Sequence, residues 1–150
     1  MVIQTVKNGQ EKNFMNDNVF IDTNILIYSI DDANAEKQKT SKSIISKLSE
    51  NGGIISTQVL QEFYNIATKK LGVSKQDAKL LLKYLSECFV VHKNTVNDIL
   101  HAVEISIKTQ FSFWDSLIIA AAISEDCTIL YTEDLNNGQL VEGVILKNPL

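Results

Sequence analysis

Val19-Phe20-Ile21-Asp22-Thr23-Asn24 runs three apolar, strand-favouring residues straight into a carboxylate flanked by two small polar side chains. Three later segments repeat that arrangement at or near the end of an apolar stretch: Gln58-Val59-Leu60-Gln61-Glu62, Phe113-Trp114-Asp115-Ser116 and Leu130-Tyr131-Thr132-Glu133-Asp134. A carboxylate is costly to desolvate unless it is paired or binds a cation. Several of them converging in one fold therefore call for a metal ion with a taste for oxygen ligands.

The strand-like stretch at Val19–Ile21 is the first of five, the others being Gly53–Ser56, Phe89–Val91, Thr128–Tyr131 and Val144–Leu146. Helical periodicity fills the intervals. Ile44, Ile45 and Leu48 mark one helix, Leu80, Leu81, Tyr84, Leu85 and Cys88 a second, and Leu100, Val103 and Ile107 a third. Strands alternating with helices predict a single-domain, three-layer α/β/α sandwich around a mainly parallel sheet. In such sheets the ligand cleft lies at the carboxyl ends of the strands, which is where Asp22 and Asp134 fall.

Two further helices carry the remaining acids. After Ser56, the helical wheel gathers Leu60, Phe63, Tyr64, Ala67 and Leu71 on one side and Gln58, Glu62, Asn65 and Lys69 on the other. That polar stripe reads either as a solvated face or as a metal-binding glutamate with Lys69 steering phosphate. From Phe113 the pattern changes: Leu117 to Ile123 is apolar all round, as a helix packed on both sides should be.

Each acid also has a purely structural reading. Asp22 is a candidate N-cap for a helix over Asn24 to Tyr28, and Thr132-Glu133-Asp134 a candidate turn closing a strand. Ser112-x-x-Asp115 resembles a capping box, and Asp115 in a first helical turn complements the helix dipole. Asp31-Asp32 reads as an exposed loop. His92 and His101 lack ligand spacing such as His-x-x-x-His and read as surface or packing residues.

Composition narrows the class. The chain has 150 residues, enough for one sizeable core, and its longest apolar run, Leu117 to Ile123, falls far short of the roughly 20 residues of a membrane span. No apolar leader is visible, so a cytoplasmic protein is expected. Residues 1–14 are polar without periodicity and read as an N-terminal arm preceding a domain over 15–150. Cys88 and Cys127 have neither a partner motif nor metal spacing and are expected to be buried and reduced. The net charge of −4 argues only weakly against a nucleic-acid partner, since local patches count for more than the sum, and the 14 basic residues are all lysine, so any phosphate contact is a point-charge contact. Lys69-Lys70 and Lys37/Lys39/Lys42 are the only clusters.

In order and spacing, Phe20-Ile21-Asp22-Thr23-Asn24, Ser56 to Asn65 with Glu62, Phe113-Trp114-Asp115-Ser116 and Tyr131 to Gln139 resemble the PIN-domain family, and within it the VapC-type toxin ribonucleases. The resemblance spans roughly residues 17 to 147. It implies a flavodoxin-like fold that hydrolyses RNA phosphodiesters with Mg²⁺ or Mn²⁺. On the family's motif Asp22, Glu62 and Asp115 fall on the first three acids and Asp134 on the fourth, with Thr23, Asn24, Ser116 and Thr132 as groups orienting carboxylates. The absence of arginine departs from many relatives.

The resemblance also implies a cognate antitoxin and a homodimer. Chemistry supports the same set independently: Mg²⁺ prefers oxygen donors, and no His, Cys or Ser arrangement supplies a rival nucleophile–base pair. Two other readings stand beside the toxin: a PIN nuclease of RNA maturation or decay without an antitoxin, and a catalytically idle RNA-binding module of the same fold.

Overall fold

The computed structural model describes residues 18–150. The expected arm at 1–14 lies outside them. Six strands form one sheet: β1 (Val19–Ile21), β2 (Ile54–Ser56), β3 (Val90–His92), β4 (Ile129–Tyr131), β5 (Leu140–Val141) and β6 (Val144–Lys147). Six α-helices connect them: α1 (Thr23–Ile27), α2 (Ala35–Asn51), α3 (Thr57–Lys69), α4 (Lys75–Cys88), α5 (Val96–Thr109) and α6 (Phe113–Ser124). The expected α/β/α sandwich is the fold observed.

Strand order is β3-β2-β1-β4-β6-β5, parallel except for the β5–β6 pair. From β1 the chain steps outward through β2 to β3, then returns past both to place β4 on β1's other side. Right-handed crossovers put α1 to α4 on one face and α5 and α6 on the opposite one. The order reverses between β1 and β4, the topological switch point where a crevice opens beyond the strand ends.

The core explains the short strands. Phe20, Ile21, Ile55, Leu130 and Leu146 are fully buried, which requires cover on both faces of the central strands. Leu117 to Ala122 of α6 are buried as the all-round apolar pattern predicts. Gly53 enters β2 where a side chain is excluded: a Cβ there would lie 2.9 Å from the Leu48 Cβ and 3.1 Å from the Phe89 ring.

Three expectations need correction. The strand β5 went unread because it is two residues long. Its signal is the pair Glu142-Gly143, both at positive φ (45° and 89°), making a two-residue hairpin turn between Val141 and Val144. The apolar stripe that marked α5 does not face the core: Leu100, Val103 and Ile107 are exposed, and Ala102 and Ile105 make the buried contacts. This inner side packs along α6. Lastly, Cys127 is buried, its thiol pushed up to about 12 chiefly by burial, whereas Cys88 is only half-buried; both are free.

His92 is neither a surface residue nor an unpartnered one. It is buried at the end of β3, with Asp98 Oδ2 2.7 Å from its Nε2 and Glu125 Oε2 2.6 Å from its Nδ1. Asp98 also forms a reciprocal capping box with Thr95 and accepts from the Ser124 hydroxyl at 2.8 Å. One imidazole thus joins β3 to the start of α5 and the end of α6. His101 meets Glu142 at 2.9 Å.

Candidate active site

Asp22 follows β1 and caps α1. Its backbone N–H still bonds to the Tyr131 carbonyl at 2.9 Å, extending the β1–β4 ladder by one residue. Its side chain, 8% exposed, accepts from the Thr23 N–H at Oδ1 (2.7 Å) and from the Thr132 hydroxyl at Oδ2 (3.0 Å). The capping reading and the site reading of Asp22 therefore describe the same carboxylate.

The other acids arrive from three elements. Glu62 is on α3, where Oε1 accepts the Thr23 hydroxyl at 2.7 Å and Oε2 the Gln58 amide at 3.3 Å. Asp115 is in the first turn of α6, and its N–H is capped by the Ser112 hydroxyl at 3.1 Å. Asp134 follows β4 and accepts from the Asn24 amide at 2.7 Å. Together with Asp22, Thr23, Asn24, Asn65, Ile66 and Ile118, these residues line one cleft of about 270 Å³ at the switch point. No lysine is among the described residues that line it.

The electrostatics match the geometry. Burial pushes the Asp22 carboxyl up to about 7 against the Thr23 and Thr132 hydrogen bonds, and the charges of Glu62 and Asp115 add to the rise. Asp115 is raised as well, by burial first, with the Ser112 hydroxyl opposing and the Asp134 charge contributing. The cluster thus carries more negative charge than its surroundings balance.

Some expected groups, and some neighbours the motif left open, do not join it. Glu133 turns away to accept from the Tyr28 hydroxyl at 2.6 Å and the Lys37 ammonium at 2.5 Å; these bonds outweigh burial and hold its carboxyl below the usual range. Among the described residues the Ser116 hydroxyl is buried without a hydrogen-bond partner and reaches no carboxylate. Lys69 is exposed at the last residue of α3, beyond the cleft lining. Sequence reading passed over Asn65 and Gln58 as site groups. Their signal was the stripe they share with Glu62: Gln58, only 4% exposed, is buried against α6, and Asn65, although exposed, lines the cleft.

The donor set is all hard oxygen, which suits Mg²⁺ or Mn²⁺ over softer ions. Among the described residues no three Asp, Glu, His or Cys side chains stand close enough to enclose an ion by direct ligation alone. Mg²⁺ is commonly held by one or two carboxylates with water completing its shell, so four carboxylates around a cleft of this size fit a hydrated ion.

A parallel α/β/α protein with a carboxylate-lined crevice at its switch point is the class that fold and site define. The chain belongs to the PIN domain family, whose sequence profile matches residues 19–139. Its fold is similar to VapC20 of Mycobacterium tuberculosis, a sarcin–ricin loop cleaving toxin, with a TM-score of 0.61 and 20% identity over 77% of this chain and 89% of that one. It is also similar to VapBC2 of Rickettsia felis bound to a promoter DNA fragment, with a TM-score of 0.65 and 20% identity over 87% and 98% of the two chains. DNA-bound VapBC of Salmonella typhimurium gives a TM-score of 0.67 and 16% identity over 89% and 98%. No curated protein matches the sequence.

Proposed function

We propose that this protein is a metal-dependent endoribonuclease, the toxin of a toxin–antitoxin pair. The observation that carries the reading is the unbalanced carboxylate cleft: four acids from four separate segments line it, no lysine is among the described residues of its wall, and Asp22 responds with a carboxyl near 7. Asp22, Glu62, Asp115 and Asp134 would hold Mg²⁺ or Mn²⁺. A bound ion supplies charge neutralisation at the phosphodiester and lowers the pKa of a coordinated water.

The chain's own groups do the positioning. The Thr23 hydroxyl fixes Glu62 through Oε1, and the Asn24 amide fixes Asp134 through Oδ2, leaving Oδ1 directed by that bond. Thr132 and the Thr23 N–H each engage one oxygen of Asp22, so its carboxylate plane is set before a ligand arrives. Asn65, which lines the cleft, would contact substrate. Lys69, farther along α3, offers a point charge to the backbone of a longer RNA.

Partners follow from the same reading. A cognate antitoxin in the cytoplasm is expected, as the VapBC complexes of Rickettsia and Salmonella suggest by their names. The exposed apolar face of α5, with Val96, Leu100, Val103 and Ile107, supports a symmetric homodimer. Among the described residues no helix is long and apolar enough to cross a membrane.

The test is cleavage of RNA by the purified chain with and without divalent cation. Activity is expected with Mg²⁺ or Mn²⁺ and lost in EDTA, and Asp22→Asn, Glu62→Gln and Asp115→Asn should each remove most turnover while circular dichroism stays unchanged. Full activity in EDTA, or two of these three variants near wild type, would overturn the assignment.

A further inference from the structure

Gln58 is the second residue of α3, and its side chain is buried although it is an amide on the polar stripe of that helix. Its Nε2 donates to two acceptors at once: Glu62 Oε2 at 3.3 Å and the backbone carbonyl of Trp114 at 3.1 Å. Its Oε1 is buried with no partner among the described residues. An amide can be turned over within the same density of atoms, but here the neighbours decide the orientation, since turning it would set its oxygen against a carboxylate oxygen and a carbonyl oxygen. The arrangement keeps an unpaired buried carbonyl in order to keep both donated bonds.

Those two bonds join different helices. Glu62 is one turn along α3 from Gln58, and Trp114 immediately precedes Asp115 in the first turn of α6. The first helical turn also carries the Ser112 cap, so the Asp115 backbone is pinned from both sides: by Ser112 at its N–H and by Gln58 at the preceding carbonyl. On Glu62, Gln58 completes a clamp in which Thr23 takes one oxygen and Gln58 the other.

We propose that Gln58 is a positioning residue of the candidate metal centre, a strut that sets Glu62 on α3 against Asp115 on α6 and so fixes the span across which a divalent cation is held. The proposal rests on the metal-centre reading given above. A buried amide with only a packing role has no need of two acceptors on two carboxylate-bearing helices, and a leucine or methionine fills the same volume without leaving an oxygen unpaired. Groups that orient metal-holding carboxylates typically alter metal affinity by about 10- to 100-fold when removed.

The experiment is Mn²⁺ binding to the full chain, followed by calorimetry, for wild type, Gln58→Leu, Glu62→Gln and the double variant, with apo melting curves alongside. Gln58→Leu should fold, melt close to wild type without metal, and bind Mn²⁺ about 10-fold more weakly. In the Glu62→Gln background the same substitution should have much less effect, because the strut then has no carboxylate to set. Equal Mn²⁺ affinity in wild type and Gln58→Leu overturns the proposal, as does an equal loss in both backgrounds, which would assign Gln58 to packing alone. If Gln58→Leu does not fold, Gln58→Met carries the same comparison with an unbranched side chain. Wild type that binds no Mn²⁺ overturns the metal-centre reading itself, and the strut with it.

Discussion

The Thr23 hydroxyl donates to Glu62 Oε1 at 2.7 Å, while the backbone N–H of Thr23 donates to Asp22 Oδ1 at 2.7 Å. One residue therefore aligns two carboxylates that are 40 positions apart in the chain. Thr23→Val keeps the shape and the backbone bond and removes only the hydroxyl. Melting should change little, and RNA cleavage at limiting Mg²⁺ should fall about 10-fold. A rate equal to wild type across the Mg²⁺ titration would show that Glu62 does not depend on this bond.

Asp22 gives the apo protein a pH signature. Its folded carboxyl, near 7, lies above its ordinary value of 3.8, so the folded state holds the extra proton and stability is lost as pH rises from about 4 through 7. At about 1.4 kcal/mol for each pH unit, the difference is worth on the order of 4 kcal/mol. In EDTA the melting temperature should fall across that window and then level off. Asp22→Asn, which preserves a good N-cap, should flatten the fall, and Mg²⁺ should restore stability to wild type above pH 7 but not to the variant. A melting temperature in EDTA that holds steady from pH 4 to 8 would contradict the buried-carboxylate picture.

The His92 bridge predicts a second loss of stability with rising pH, in a window that begins near pH 6.5. Burial opposes the imidazolium, yet the hydrogen bonds and charges of Asp98 and Glu125 outweigh it and raise the His92 pKa above 6.5. Its contribution is full below pH 6.5 and is lost as pH rises through the folded value. Asp98, whose carboxyl is lowered by His92, Thr95 and Ser124 despite burial, contributes above pH 3.8 and loses that as pH falls. His92→Gln should cost about 1.5–3 kcal/mol at pH 6 and less at pH 9. Denaturant melts of both proteins at the two pH values check this, and a cost that grows with pH would reject a charged bridge.

Lys69 bears on substrate rather than on metal. Lys69→Ala should weaken RNA binding, reduce the slope of log affinity against log salt by about 0.7 to 1, and leave Mn²⁺ affinity unchanged. Filter binding at a series of salt concentrations measures it. An unaltered slope would return Lys69 to an ordinary solvated position.

Periodicity and β-preference along the chain were enough to lay out most of the fold. Val19–Ile21, Ile54–Ser56 and Ile129–Tyr131 are legible because strands covered on both faces must be apolar throughout, and Leu117–Ala122 because a helix packed on every side must be as well. Asp22 and Asp134 were legible as neighbours for a related reason: a carboxylate at the end of a buried run needs a compensating role, and parallel topology says where such ends gather. Glu62 and Asp115 stand on helices and were legible through the family resemblance. What the sequence left open is which polar group meets which. Glu133 and Asp134 are neighbours, yet one bonds Lys37 and the other Asn24. Gln58 and Lys69 share a stripe, yet one is buried against α6 and the other is in solvent. His92 has no local ligand motif because its partners come from a helix start and a helix end, six and 33 residues away. Hydrophobic patterning fixes the side of an element that turns inward, through the area it removes from water. The pairing of polar groups depends on distances of a few tenths of an ångström between segments far apart in the chain, and those are set only when the layers pack.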